Sequence, residues 1–408
     1  MVKTKVMNSG KYIFAQVLSL VNRYEFQKCV DRYKGDHATS RLNCWNQFAQ
    51  LFFGQMTGRN GLRDICLCLG VHSNRLYHLG IKQSVNQSTL SRANENRDWR
   101  IFADFGMYLI NLVSPLYTDG PEAISDIDKD IFAIDSTTIS VSIILMDWAK
   151  GKYSRGAVKM HMVLSLQGNI PTFIHITDGK YHDVNALDEI IAIAGAIYVM
   201  DKAYIDFNRL YKLHRNDSFF VVRAKTNLRF RAVASRKIDK ATGLRCAQYI
   251  KLLVPKSRKQ YPEKIRRIKY YDKEKDLTFV FLTNEFDLKP MEIADIYRER
   301  WQIEVFFRWI KQNLEVKKLW GHSKNAVHTQ LWIAICTYLI VAYLKKQLQS
   351  EYSIYEMTQI LSISMFDKTP INELFTGKKI YKKIQEQLTY LITISYKRIS
   401  TKTGYLFK

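Results

Sequence analysis

Tyr297, Arg300, Glu304, Arg308 and Lys311 follow one another at intervals of three or four residues. On one helix running from about Met291 to Val316 they form a single stripe. Ile296, Ile303, Phe307, Ile310 and Leu314 form a second, apolar stripe turned roughly a quarter-turn away, which lets the helix dock on a core. A carboxylate set among cations and a phenol suits the handling of phosphate. The same spacing also suits a solvated ladder in which Glu304 pairs with Arg300 and Arg308. Two more carboxylates stand at the ends of short apolar runs: Asp135 after Ile131–Ile134 and Asp201 after Ala196–Met200. Taken singly, each aspartate also fits a helix cap or a turn. Taken with Glu304, they supply three hard oxygen donors, a set that suits Mg²⁺ together with substrate phosphate oxygens. Two such ions activate a water or a 3′-hydroxyl and stabilise the leaving oxygen in displacement at phosphorus.

The elements that must position these groups follow from the hydropathy pattern. Residues 1–118 carry amphipathic helical runs (Phe14, Val17, Leu18 and Val21; Trp45, Phe48, Ala49, Phe52 and Phe53) and almost no strand signal. Between Gly61 and Arg97 the order is short helix, turn, short helix. A helix-turn-helix offering Ser88, Thr89, Ser91, Arg92 and Asn94 to a DNA groove fits that order, and so does a plain helical bundle. Gly120-Pro121 and neighbouring acids mark a boundary. Strands are expected at Ile131–Ile134, Val158–Leu166, Thr172–Thr177, Ala196–Met200 and Phe219–Arg223, with helices over 184–194 and 207–214. Residues 225–284 read as a β-rich insertion whose cations include Arg229, Arg231, Lys251, Lys256, Arg258, Lys259, Lys264, Arg266 and Lys269, a phosphate-facing surface. Beyond Ser323 the chain is helical again.

The 408 residues carry 62 Lys and Arg against 38 Asp and Glu, a net charge of +24 that points to a polyanionic partner, nucleic acid before membrane. The six cysteines lie mostly in apolar runs without zinc-finger spacing, which fits free thiols in a reducing cytoplasm. No signal peptide is evident, and the longest apolar stretch, about Leu331 to Leu344, reads as a buried core helix too short to span a bilayer.

The run from Tyr297 to Leu314 resembles the Y-(2)-R-(3)-E-(6)-K signature of the bacterial insertion-sequence-four family of DDE transposases, with Tyr297, Arg300, Glu304 and Lys311 at its four positions. Ile134-Asp135-Ser-Thr-Thr138, Lys159-Met-His161, Met200-Asp201-Lys-Ala-Tyr204 and Ser323–Val327 extend the likeness. After the second aspartate this chain has Lys202-Ala203 where the family often has Arg-Gly, so the cation is kept and the glycine's backbone freedom is not. The resemblance implies an α+β, RNase H-like catalytic core (126–224 and 285–320) interrupted by the β-rich insertion (225–284). A helical DNA-binding domain (1–118) would precede it and a helical C-terminal region (321–408) follow. It implies Asp135, Asp201 and Glu304 as catalytic ligands of Mg²⁺, with Mn²⁺ able to substitute, and Tyr297, Arg300 and Lys311 as contacts to transposon-end DNA. Arg308, Arg92 and Lys159 are added from the residues as further DNA contacts, and His161 as an extra group near the metals. Trp301 is expected in the core, and His182-Asp183 as a helix cap.

The activity so implied is cut-and-paste transposition by cleavage at inverted terminal repeats, through a hairpin, with transfer of the 3′-OH into target DNA. A homodimer would pair two ends, in the bacterial cytoplasm at the nucleoid and without membrane contact. A stand-alone metal nuclease shares the carboxylates but does not join strands. A silent DNA-binding regulator has no need of three converging acids. A tyrosine recombinase lacks its Arg and His partners here.

Overall fold

The computed structural model describes residues 10–39, 41–118, 120–141, 148–149 and 156–375. These divide into two compact units, one of residues 10–93 with 335–375 and one of residues 94–334. The helices in chain order are α1 (Ile13–Leu18), α2 (Arg23–Arg32), α3 (Cys44–Met56), α4 (Leu62–Val71), α5 (Gln87–Asn96) and α6 (Arg100–Val113). The strands β1 (Ile131–Val141), β2 (Gly156–Ser165), β3 (Ile170–Asp178), β4 (Ile197–Met200) and β5 (Phe219–Arg223) follow, with α7 (Phe207–Arg215) between the last two. Next come β6 (Phe230–Arg236), β7 (Leu244–Leu252), α8 (Pro255–Gln260), β8 (Ile265–Asp272) and β9 (Leu277–Thr283). The chain then returns to helices: α9 (Pro290–Glu299), α10 (Trp301–Asn313), α11 (Lys324–Gln347), α12 (Ile354–Ser364) and α13 (Ile371–Leu374).

In the second unit the strands form one nine-stranded sheet, ordered β3-β2-β1-β4-β5-β9-β8-β7-β6. β1, β4 and β5 run parallel to one another, and the remaining neighbours pair antiparallel. The β-rich insertion is therefore a continuation of the main sheet through β5–β9 pairing. Side chains alternate across the sheet. Phe132, Ile134, Tyr198, Met200, Phe220 and Val222 enter one buried cluster with Leu210 and Leu213 of α7. Ala133, Val199 and Val221, also buried, point to the other face, on which α9 and α10 pack. Asp135 shares the parity of Ala133, so it faces α9 and α10.

Local sequence explains several boundaries. β4 is a wholly apolar run, preceded by Gly195 at φ +83°. α7 starts where the Asp206 carboxylate accepts from the Arg209 N–H at 3.0 Å, and it ends in Lys212, His214 and Arg215, which complement the helix dipole. α9 opens with Pro290, and Glu292 reaches back to accept from the Lys289 N–H at 2.6 Å.

Three expectations change. β1 runs past Asp135 to Val141, so this aspartate lies inside a strand, because pairing with β2 continues through Val141↔Gly156. The expected helix over 184–194 is only a short 3-10 turn, Asp183–Asp188, whose side chains serve the interactions described below. Residues 94–118 fall in the unit of the sheet, where α6 packs on β3, and residues 335–375 fall in the other unit, so the spatial division departs from a cut at 118. The expectation of a buried core helix around Leu331–Leu344 holds: α11 is longer, 24 residues and apolar enough to cross a membrane by length, but nearly all of it is buried within the protein.

Candidate active site

The parallel registers set the geometry. Ile134 pairs with Met200 and Met200 with Val222, so Asp135, Asp201 and Arg223 are the next residues at one level of three adjacent strands. Over this level passes the segment carrying the signature residues. It is two helices, not one. At Arg300 the backbone N–H bonds Tyr297 O at 3.3 Å and the Ile303 N–H bonds Arg300 O at 3.2 Å, so the ladder tightens to three-residue bonds between α9 and α10. The apolar stripe behaves as expected: Ile296, Ile303, Phe307, Ile310 and Leu314 are all buried.

Arg300 links the acids. One guanidinium nitrogen donates to Asp135 Oδ2 at 2.9 Å and the other to Glu304 Oε1 at 2.5 Å. Tyr297 Oη donates to Asp201 Oδ1 at 3.3 Å, while its ring packs on Phe281 with centroids 4.6 Å apart. Burial pushes the Asp135 carboxyl up to about 6; Arg300 and the Ser136 N–H pull it down, and the charges of Glu304 and Asp201 push it further up. Burial works against the Arg300 charge, yet Asp135, Tyr297 and Glu304 hold its guanidinium above its ordinary value. Burial, with the charge of Asp201 adding to it, raises the Tyr297 phenol to about 12, so at neutral pH it is a donor and not a nucleophile.

Lys311 donates to Thr138 O on β1 at 2.8 Å. Arg308 is exposed, its guanidinium 5.5 Å from the Trp301 ring centroid. Trp301 is itself 51% exposed and not a core residue, because it lies on the side of α10 away from Ile303 and Phe307. Arg92 is exposed on α5 in the other unit, whereas Asn94 is buried and cannot face a groove.

Lys159 is committed elsewhere. Its ammonium donates to Asp183 Oδ1 at 3.0 Å and to Tyr181 O at 2.9 Å, so it is an internal ion pair and not a free DNA contact. Asp183 is therefore no helix cap: it also accepts from Ser136 Oγ at 2.7 Å, next to Asp135. Burial works to raise the Asp183 carboxyl, but Ser136 and Lys159 bring it below its ordinary value. His161 is buried, bonds Thr177 Oγ1 at 3.0 Å, and is pushed down to about 4 by that burial. It is a neutral structural residue. In the insertion, Arg266 is fully buried and donates to the carbonyls of Glu285 and Leu288, so it belongs to the interior and not to a phosphate-facing surface.

Two groups escaped the sequence reading. Asp183 is one; its signal, an acid after His182, suited a cap equally well. The other is a cleft of about 520 Å³ beside Asp201, lined by Lys202, Arg223 and Lys225. Arg223 and Lys225 follow β5 as Asp201 follows β4, a parallel that only the strand order makes visible.

Among the described residues, no three His, Cys, Asp or Glu side chains stand close enough together to enclose a metal ion as they are. The donor chemistry nonetheless fits a hard divalent cation. Asp135 feels both other carboxylates, and among the described residues the positive charge that bridges two of them is the Arg300 guanidinium.

The transposase DDE domain family matches residues 126–340, more than half of the chain. This chain belongs to the DDE transposases. A domain family of unknown function matches residues 9–82. A protein of Sinorhizobium fredii named as a transposase is 29% identical over 292 residues, 71% of this chain and 80% of the relative. One of Geobacillus stearothermophilus, named as the transposase of an insertion sequence element, is 30% identical over 227 residues, 55% of this chain and 59% of the relative. A third, from Synechocystis, also named for an insertion sequence element, is 25% identical over 289 residues, covering 70% of this chain and 80% of the relative. As a DDE transposase of the insertion-sequence kind, the chain is a DNA-transposing enzyme of a family that depends on divalent metal.

Proposed function

We propose that Asp135, Asp201 and Glu304 are the acids that hold the divalent metal, Mg²⁺ with Mn²⁺ as a substitute, at an RNase H-like core. The strand order β3-β2-β1-β4-β5, with the first two antiparallel and the last three parallel, supports that core. The observation that carries the reading is the bridging of Asp135 and Glu304 by Arg300, with Tyr297 on Asp201. When bound, the metal would supply an activated water or 3′-hydroxyl and a counter-charge to the leaving oxygen. The residues do the rest. Arg300, freed from the carboxylates once their charge is met otherwise, turns its fork to the scissile phosphate. Tyr297 gives a hydroxyl and a ring face to the DNA end, and Lys311 and Arg308 hold backbone phosphates further along α10. Residues 126–224 and 285–320 form the catalytic core, 225–284 its insertion, and Arg92 on α5 reads the element end from the N-terminal region. The DNA partners are terminal inverted repeats and target DNA, joined by cut-and-paste through a hairpin, within a dimer that pairs two ends. Action on chromosomal DNA in the bacterial cytoplasm fits this role.

The test is incubation of the purified protein with Mg²⁺ and fragments bearing the repeats that flank its gene. Excised ends with hairpins, followed by joined products, are expected. Cleavage without any joining would leave a nuclease and end the transposition reading.

A further inference from the structure

The unit that holds residues 10–93 has a cleft of about 930 Å³ between α1, the start of α2, the first half of α3 and the turn after Tyr77. A volume in this range suits a sizeable ligand. Lys11, Arg23 and Lys82 line it, and no Asp or Glu does among the described residues. None of these three cations has an ion pair among the described residues, although the chain supplies 38 acids. Aromatic rings are interleaved with them. The Arg23 guanidinium lies 4.4 Å from the Trp45 ring centroid, and Tyr24 and Tyr77 stand 68% and 82% exposed. The wall is braced: Trp45 Nε1 donates to Gly80 O at 3.4 Å, Asn46 Oδ1 accepts from the Lys82 N–H at 2.9 Å, and Gly80 turns at φ +80°.

We propose that this cleft binds an unpaired stretch of DNA, its bases stacked on Tyr24 and Tyr77 and its phosphates held by Lys11, Arg23 and Lys82. The Lys28 ammonium lies 4.5 Å from the Tyr24 ring centroid and His78 meets Tyr77 edge-on, so each ring still has an open face. Exposed rings beside unpaired cations are what single strands use, since each base has a π-face and each linkage a charge. In a duplex those faces are already stacked on one another, so rings of this kind gain nothing from it. The inference rests on reading the N-terminal region as DNA-binding, but assigns a second, single-strand subsite distinct from Arg92.

The experiment uses the full chain in chelator, to prevent cleavage, with a short fluorescein-labelled thymidine oligonucleotide read by anisotropy. Tyr24→Leu and Tyr77→Leu should each weaken binding roughly five- to tenfold, while Tyr24→Phe and Tyr77→Phe retain it, because stacking needs the ring and not the hydroxyl. Both side chains are exposed, so the variants fold. An iododeoxyuridine oligonucleotide should crosslink to peptides within residues 10–82. Unchanged affinity in the leucine variants, crosslinks only outside that span, or equal competition by polyglutamate would overturn the proposal. Duplex-end binding is measured alongside. Its loss in Arg92→Ala with single-strand binding intact leaves the subsite standing, and its retention in the leucine variants separates the two sites.

Discussion

Asp135 is the residue where burial, charge and chemistry meet. Its carboxyl, pushed up to about 6 from an ordinary value of 3.8, keeps a proton in the folded protein that the unfolded chain releases. With more protons bound in the native state between those values, stability falls as pH rises from about 4 to about 6, by on the order of 2–3 kcal/mol. Asp135→Asn should remove that fall and melt higher than the parent at neutral pH in chelator, checked by calorimetry across pH. The same substitution, like Asp201→Asn and Glu304→Gln, should reduce cleavage by on the order of a thousandfold or more while end binding persists in a gel-shift assay. Residual cleavage near the parent rate would remove that residue from the metal set. Asp183 acts one step back, through Ser136 and Lys159. Asp183→Ala leaves the Lys159 ammonium, 14% exposed, with the Tyr181 carbonyl but no carboxylate and should cost about 1–3 kcal/mol in urea unfolding.

At the scale of elements, the site is made where three parallel strands are crossed by two helices. The break at Arg300 lets α9 seat Tyr297 on Phe281 while α10 swings Glu304 toward β1 and fastens to Thr138 through Lys311. The β2–β3 turn sets the edge of the same sheet. At Gly168 a Cβ would come within 2.4 Å of the Tyr117 side chain and 2.5 Å of its carbonyl oxygen, a close approach that only glycine permits. Gly168→Ala should therefore destabilise the protein by about 1–3 kcal/mol, visible as a lowered melting temperature without a change in cleavage chemistry. A neutral result would mean the turn relaxes at no cost.

For the whole molecule, a charge of +24 governs how DNA is met. Binding of element ends should weaken steeply with salt, and Arg308→Ala should lower the slope of log affinity against log salt by about one. An unchanged slope would take Arg308 off the phosphate backbone. The charge is not uniformly available, since Lys159 and Arg266 are spent inside the fold, so the slope reports fewer contacts than the cation count suggests.

Much of the candidate site's grouping was legible in the chain because it rests on local rules. The i, i+3, i+4 spacing that groups Tyr297, Arg300, Glu304 and Lys311 needs only helical periodicity, and the apolar runs before Asp135 and Asp201 need only the burial of a parallel strand. Helical spacing offered Arg300 as a partner of Glu304, but the partners of Asp135, Asp201 and Asp183 were not legible. Whether a lysine faces DNA or an aspartate 24 residues away, as Lys159 does, depends on strand pairing and not on composition. The same holds for the exposure of Trp301, the burial of Arg266 and the alignment of Arg223 with the two aspartates. Periodicity is a property of neighbours along the chain, whereas desolvation and ion pairing are decided by whatever the fold brings alongside, and only the tertiary structure chooses that.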